Sequence, residues 1–178
     1  MKIREATDSD LDAVLLVERE AFGGPDEAEL TRALLGDPTA EPRLSLLAFE
    51  DDRPVGHVLF TAAHVDGSPD AGPVAILAPL AVVPEMQRRG VGGALISEGL
   101  RRLAKAGTTL VFVLGHPEYY PRHGFMPAAP HGLDAPYPIP REVADAWMVQ
   151  ELVPGSLGEA QGTVVCAETM DRPEYWSE

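Results

Sequence analysis

Alternation of polar and apolar positions over Lys2 to Ala6 gives way to apolar residues at helical spacing, Leu11, Val14, Leu15 and Phe22. The first pattern predicts a strand and the second a helix with one apolar face. Thr7-Asp8-Ser9-Asp10 between them offers side-chain oxygens for the helix start. Gly23-Gly24-Pro25 breaks that helix, and Asp26 to Leu35 predicts a second, stopped at Gly36. Arg43 to Glu50 and Pro54 to Val65 read as two strands joined in a hairpin at Asp51-Asp52-Arg53, with a polar turn from Asp66 to Gly72. Ile76 to Val83 is an almost unbroken apolar run ending at Pro84, the pattern of a buried strand. Val91, Leu95, Ile96, Leu100 and Leu103 then mark the core stripe of a helix from Val91 to Ala106. Ser97, Glu98, Arg101, Arg102 and Lys105 fall on its wet face, and Gly107 is a natural stop. Thr108 to Leu114 reads as a further strand, and Trp147 to Leu152 and Thr163 to Ala167 as closing strands. The prolines of Ala128 to Pro140 suggest a linker, but too little chain follows for a second domain, so the segment reads as an ordered connector. The expectation is one domain over residues 1–170, with 171–178 a frayed tail.

The joint between the central strand and its helix carries the candidate chemistry. Gln87-Arg88-Arg89-Gly90-Val91-Gly92-Gly93 is short, basic and glycine-rich, and it runs straight into the helix. Backbone N–H groups at a helix start have no partner within the helix, and glycines let an anion approach them closely. A phosphate or pyrophosphate is the ligand such a turn suits. Within the preceding strand, Pro79 cannot donate to a ladder and marks a bulge or an edge.

Gln87-Arg88-Arg89-Gly90-Val91-Gly92, following Leu80-Ala81-Val82, resembles the acetyl-CoA-binding core of the GNAT-type N-acetyltransferase superfamily, whose signature is Gln/Arg-x-x-Gly-x-Gly/Ala. Tyr120-Pro121-Arg122-His123-Gly124-Phe125 looks like the family's later Tyr-x-x-x-Gly-Phe element, at a distance that leaves room for the helix, a turn and a strand. The doubled tyrosine and the long segment beyond it are most similar to the YhbS-like group. The resemblance implies an α/β chain with the GNAT acyl-CoA acyltransferase fold, a mixed central sheet flanked by helices in the order β-α-α-β-β-β-α-β-α-β. It implies acetyl-CoA as co-substrate and a small-molecule or peptide amine as acceptor. Leu80, Ala81 and Val82 would offer backbone groups to the pantetheine arm, and Gln87 to Gly93 would hold the pyrophosphate. Tyr120 would protonate the departing thiolate, a role within reach of a phenol. Tyr119 is its confusable neighbour. His116, after the next strand, is a candidate base for the amine, with a backbone-bonded turn residue as its rival reading.

Charge narrows the partners. Formal net charge is −14, the opposite of a nucleic-acid footprint and unsuited to an anionic membrane. An acidic field favours a cationic acceptor such as a primary amine. No apolar run reaches membrane-spanning length, and no signal-peptide pattern follows Met1. The single Cys166 allows no internal disulfide and reads as a small buried hydrophobe, so the expected location is cytoplasmic. The five histidines show no metal-ligand pairing, so no metal is expected. The sequence leaves a homodimer open. Gly90 to Leu95 is an incomplete dinucleotide fingerprint, which weakens a nicotinamide oxidoreductase. A non-catalytic acyl-CoA-binding or sensor module is the alternative function, and retention of both motifs favours the enzyme.

Overall fold

The computed structural model describes residues 1–177, and its spine is a nine-stranded sheet. In chain order come β1 (Lys2–Glu5), α1 (Leu11–Phe22), α2 (Asp26–Leu35), β2 (Leu44–Glu50), β3 (Arg53–Asp66) and β4 (Val74–Val82). Then follow α3 (Val91–Lys105), β5 (Leu110–Leu114), β6 (Met126–Pro127), β7 (Leu133–Asp134), β8 (Trp147–Glu151) and β9 (Gly162–Val165). The main path runs β1-β2-β3-β4-β5-β8-β6, while β9 pairs with the far end of β3 and with β7. The β2–β3 hairpin turns at Asp51-Asp52, with Asp51 at φ 54°, where a short polar side chain is tolerated.

Alternation along the strands sorts the core into two layers. One holds Val58, Phe60, Val111, Val113, Tyr120 and Phe125 beneath Val91, Leu95 and Ile96 of α3. Phe60 lies against Gly99, where a β-carbon would overlap its ring, so the glycine lets helix and sheet approach. The other layer gathers Leu34, Leu59, Ile76, Phe112, Trp147 and Trp176.

β4 and β5 are the one parallel pair on the main path, joined only at Val74↔Leu110, Ala75↔Val111 and Ile76↔Phe112. Beyond that the strands part. β4 continues against β3 with a bulge in which Ala78 and Pro79 face the single residue Leu59, in keeping with a proline that cannot donate to the ladder. β5 continues against β8 through Val113↔Met148 and Leu114↔Trp147. The fork between them is the central feature for function.

Three expectations need correction. Among the described residues no fourth α-helix follows β5; Tyr120–His123 is a single 3-10 turn. Pro117 and Pro121 lack the N–H groups a longer helix needs, and Gly124 ends the turn at φ 94°. Phe22 is 45% exposed, because α1 buries Val14, Leu15, Val17 and Glu18 instead. The tail expected to fray from Asp171 is pinned: Trp176 is buried, donates its indole N–H to the Met170 carbonyl at 2.9 Å and meets Trp147 edge-on. Glu178, the last residue of that expected tail, lies outside the described residues. Cys166 follows β9 half-buried, and burial pushes its thiol up to about 11.

Candidate active site

The turn between β4 and α3 is held from behind. Val83 N–H bonds the Val55 carbonyl at 3.0 Å, and the Gln87 amide donates to the Val82 carbonyl, also at 3.0 Å. Gln87 thus ties the turn to the end of β4, a bracing contact that the sequence alone did not reveal. From Arg88 to Gly93 no backbone N–H donates a hydrogen bond to a described residue; the next one, Ala94, reaches the Gly90 carbonyl at 3.0 Å. Gly90, at φ 86°, forms the helix cap without a side-chain acceptor, and Arg88 stands at φ 62°. A non-glycine residue in the left-handed region is strained, and such residues gather at functional sites. The outcome is a run of unsatisfied donors at the positive end of a 15-residue helix. Arg88 and Arg89 are exposed beside it, free of any ion pair among the described residues.

The glycines of this turn serve different ends. Nothing lies within 4 Å of a β-carbon built on Gly90, so that side is open. At Gly92 the corresponding space is taken: a β-carbon would sit 2.6 Å from the Tyr119 hydroxyl oxygen and 3.7 Å from Leu80 Cδ2. At Gly93 it would meet His123 Cε1 at 2.8 Å. Beyond letting a ligand approach, Gly92 and Gly93 make room for the aromatic turn after β5.

That turn starts at His116, whose carbonyl accepts the N–H groups of Tyr119 at 3.1 Å and Tyr120 at 3.3 Å. The His116 ring is exposed. The two tyrosines pack edge to face at 5.1 Å, and Tyr119 also lies 4.9 Å from the His123 ring. Tyr119 is half-buried with its hydroxyl at the helix start. Tyr120 is almost wholly inside, its ring over Gly115 and edge-on to Phe125 at 5.7 Å. Burial, reinforced by Tyr119, pushes the Tyr120 phenol well above its usual value, and burial raises Tyr119 too. Burial, with Arg122 adding to it, lowers His123. The Tyr120 hydroxyl has no hydrogen-bond partner among the described residues yet is not sealed off, so it remains available to a ligand.

Leu80, Gly92 and Tyr119 are thereby brought together, while no contact among the described residues ties the exposed His116 ring to them. The neighbours that sequence reasoning missed, Tyr119 and His123 against the helix start, meet it through tertiary packing that no spacing encodes. A second unforeseen group lies elsewhere: Glu18 Oε1 to His57 Nδ1 at 2.6 Å and His57 Nε2 to Ser45 Oγ at 2.8 Å. Glu18 and His57 have no exposed surface, so this chain of polar groups braces α1 against β2 and β3 and meets no substrate. A larger cleft of about 580 Å³ beside β1 and the start of α1 shares no lining residue with the fork. No cluster of metal-ligating side chains occurs among the described residues, and no helix among them is long and apolar enough to cross a membrane.

Known proteins share this sequence pattern and fold. The family described as acetyltransferase (GNAT) domain matches residues 2–128. YjhQ of Escherichia coli K12, an uncharacterized N-acetyltransferase, is 48% identical over 161 residues, 90% of this chain and 88% of its own. The crystal structure of the E. coli GNAT family N-acetyltransferase YhbS in complex with CoA superposes with a TM-score of 0.85 at 30% identity, covering 96% of this chain and 92% of that one. A Brucella melitensis GNAT family acetyltransferase in complex with acetyl-CoA gives 0.75 at 28% identity, over 96% and 97% of the two chains.

Proposed function

The chain belongs to the GNAT acetyltransferase family, and from that premise we propose that it moves the acetyl group of acetyl-CoA to a primary amine by direct attack at the β4–β5 fork. The observation that carries the reading is the run of unsatisfied N–H groups from Arg88 to Gly93 beside that fork. Backbone donors on Arg88 to Gly93 hold the pyrophosphate, with Arg88 and Arg89 adding positive charge. Leu80, Ala81 and Val82 offer backbone groups of β4 to the pantetheine arm, which lies along the strand where β5 has turned away.

The acceptor nitrogen attacks the thioester carbonyl carbon, and the carbon–sulfur bond breaks. The Leu80 N–H, just past the bulge, supports the charge that develops on the carbonyl oxygen. Tyr120 gives its proton to the departing sulfur. The phenol is in its donor form at neutral pH, and because burial raises its pKa it gives up the proton only as negative charge builds on the sulfur. His116, exposed at the end of β5, takes the proton released by the amine directly or through water. The thiol of Cys166, pushed up to about 11, is a poor nucleophile, in keeping with transfer that forms no acyl-enzyme. That lone cysteine also suits a cytoplasmic enzyme.

Calorimetric titration tests the reading. Acetyl-CoA is expected to bind saturably and NADH not comparably, with free CoA released in the presence of an accepted amine. NADH binding without acetyl-CoA binding overturns it. Saturable binding with no CoA release across amines, amino acids and peptides converts the enzyme into a binding module.

A further inference from the structure

The fork has a second mouth on the sheet face away from α3. Ala78 and Leu114 each stand two residues past the last ladder pair, Ile76↔Phe112. Both line a cavity of about 110 Å³, together with Leu30 of α2, Met170, Tyr175 and Trp176. Among the described residues the lining has no carboxylate, ammonium or guanidinium, in a chain whose net charge is −14. Its outer wall is the C-terminal segment, and that wall is held in place. Asp37, its carboxyl lowered to about 2 by hydrogen bonds from Thr39 and Thr169, accepts the Thr169 N–H at 3.0 Å and its hydroxyl at 2.7 Å. Trp176 is clamped by Met170 and Trp147.

The geometry points to this niche as the seat for the apolar arm of the acceptor, so that the substrate class is a primary amine bearing a short aliphatic group. This rests on the acetyl-transfer reading above, because it places the reacting carbonyl at the fork. The phosphate cradle lies at the start of α3, so the thioester enters from the α3 face and the opposite mouth is left for the nucleophile. An amine arriving there keeps its polar head at the fork and places its carbon chain among Leu30, Leu114, Met170 and Trp176. A polycation has no counter-charge to meet in that lining and would strip water from its ammonium groups for nothing in return. Size sets the upper bound. An apolar cavity of roughly 150 Å³ holds benzene, so about 110 Å³ suits a chain of about four carbons.

Trp176 lines this wall and packs edge to face on Trp147, the chain's other tryptophan, so intrinsic fluorescence reports its occupancy. The CoA-loaded full chain, and the free chain in parallel, is titrated with n-alkylamines from ethylamine to hexylamine and with spermidine. The dissociation constant is expected to fall about fourfold per added methylene up to about butylamine and then level off. Leu30→Phe, which fills the niche, compresses the butylamine-to-ethylamine difference to less than about threefold, and Leu30→Ala moves the plateau to longer amines. Equal constants along the series, or spermidine binding tighter than butylamine, overturn the inference. If acetyl-CoA binds while the gradient is missing, the niche inference fails alone. If the gradient appears while acetyl-CoA does not bind, the acetyl-transfer reading fails and with it the placement of a reacting amine here.

Discussion

Replacing Tyr120 by phenylalanine deletes one oxygen atom and leaves the ring where it is. That ring is 8% exposed, packs edge-on against Phe125 and Tyr119, and fills the space that glycine leaves at position 115. Because the hydroxyl donates to no described residue, removing it orphans no partner. Stability should change by less than about 1 kcal/mol, the net worth of an ordinary hydrogen bond. The chemical cost is expected to be far larger. A positioned general acid contributes about 10²–10⁴ to the rate, roughly 3–5 kcal/mol of barrier. The loss should fall on kcat and kcat/KM alike, with acetyl-CoA affinity within about twofold, since the hydroxyl acts on a proton in flight rather than on the bound ground state. Burial raises the phenol above its usual range, so the alkaline limb of the rate profile should not originate in Tyr120. The assay is steady-state release of free CoA with any accepted amine, alongside calorimetry for acetyl-CoA and circular dichroism for folding. Tyr119→Phe, which alters a hydroxyl at the helix start, is the companion variant and should lose much less turnover. A folded Tyr120→Phe with kcat within about fivefold of wild type refutes the general-acid role, because a 10²-fold floor is what that role requires.

Further outcomes follow from the same geometry. Gly92→Ala should cost about 1–2 kcal/mol because its methyl meets the Tyr119 oxygen at 2.6 Å; combined with Tyr119→Phe, denaturant melts should recover about 1 kcal/mol of that, and simple additivity would deny the contact. Glu18 is buried with Oε2 unpartnered, and burial raises its pKa. A folded-state pKa above the unfolded value favours the native state below about pH 4.5, and the advantage fades as pH climbs through the folded value. Against wild type, Glu18→Gln should therefore gain relative stability as pH rises above about 4.5 in urea titrations, and a decline there contradicts the assignment. Trp176→Ala should cost about 3–5 kcal/mol, and a chemical denaturation midpoint close to wild type would show the C-terminal wall to be dispensable.

Local patterning decided much of this protein before any tertiary contact is considered. The stripe Val91, Leu95 and Ile96 specifies α3, Gly90 specifies where it begins, and Pro79 specifies the bulge in β4, because each depends on chain-local sterics or periodicity. The two short motifs carried the family for the same reason: a phosphate cradle is a turn and the helix that follows it. What the sequence could not determine is what faces what. Tyr119 reaches Gly92, His123 reaches Gly93 and Glu18 reaches His57 only after strands distant in sequence are laid side by side. The same is true of Trp176, whose surroundings of Asp, Arg, Pro and Glu read as a solvated tail. Its burial comes from Trp147, Met170 and the fork, partners brought together by sheet order. Periodicity reports which side of an element is apolar, whereas the neighbour that covers that side is set by packing across the whole chain.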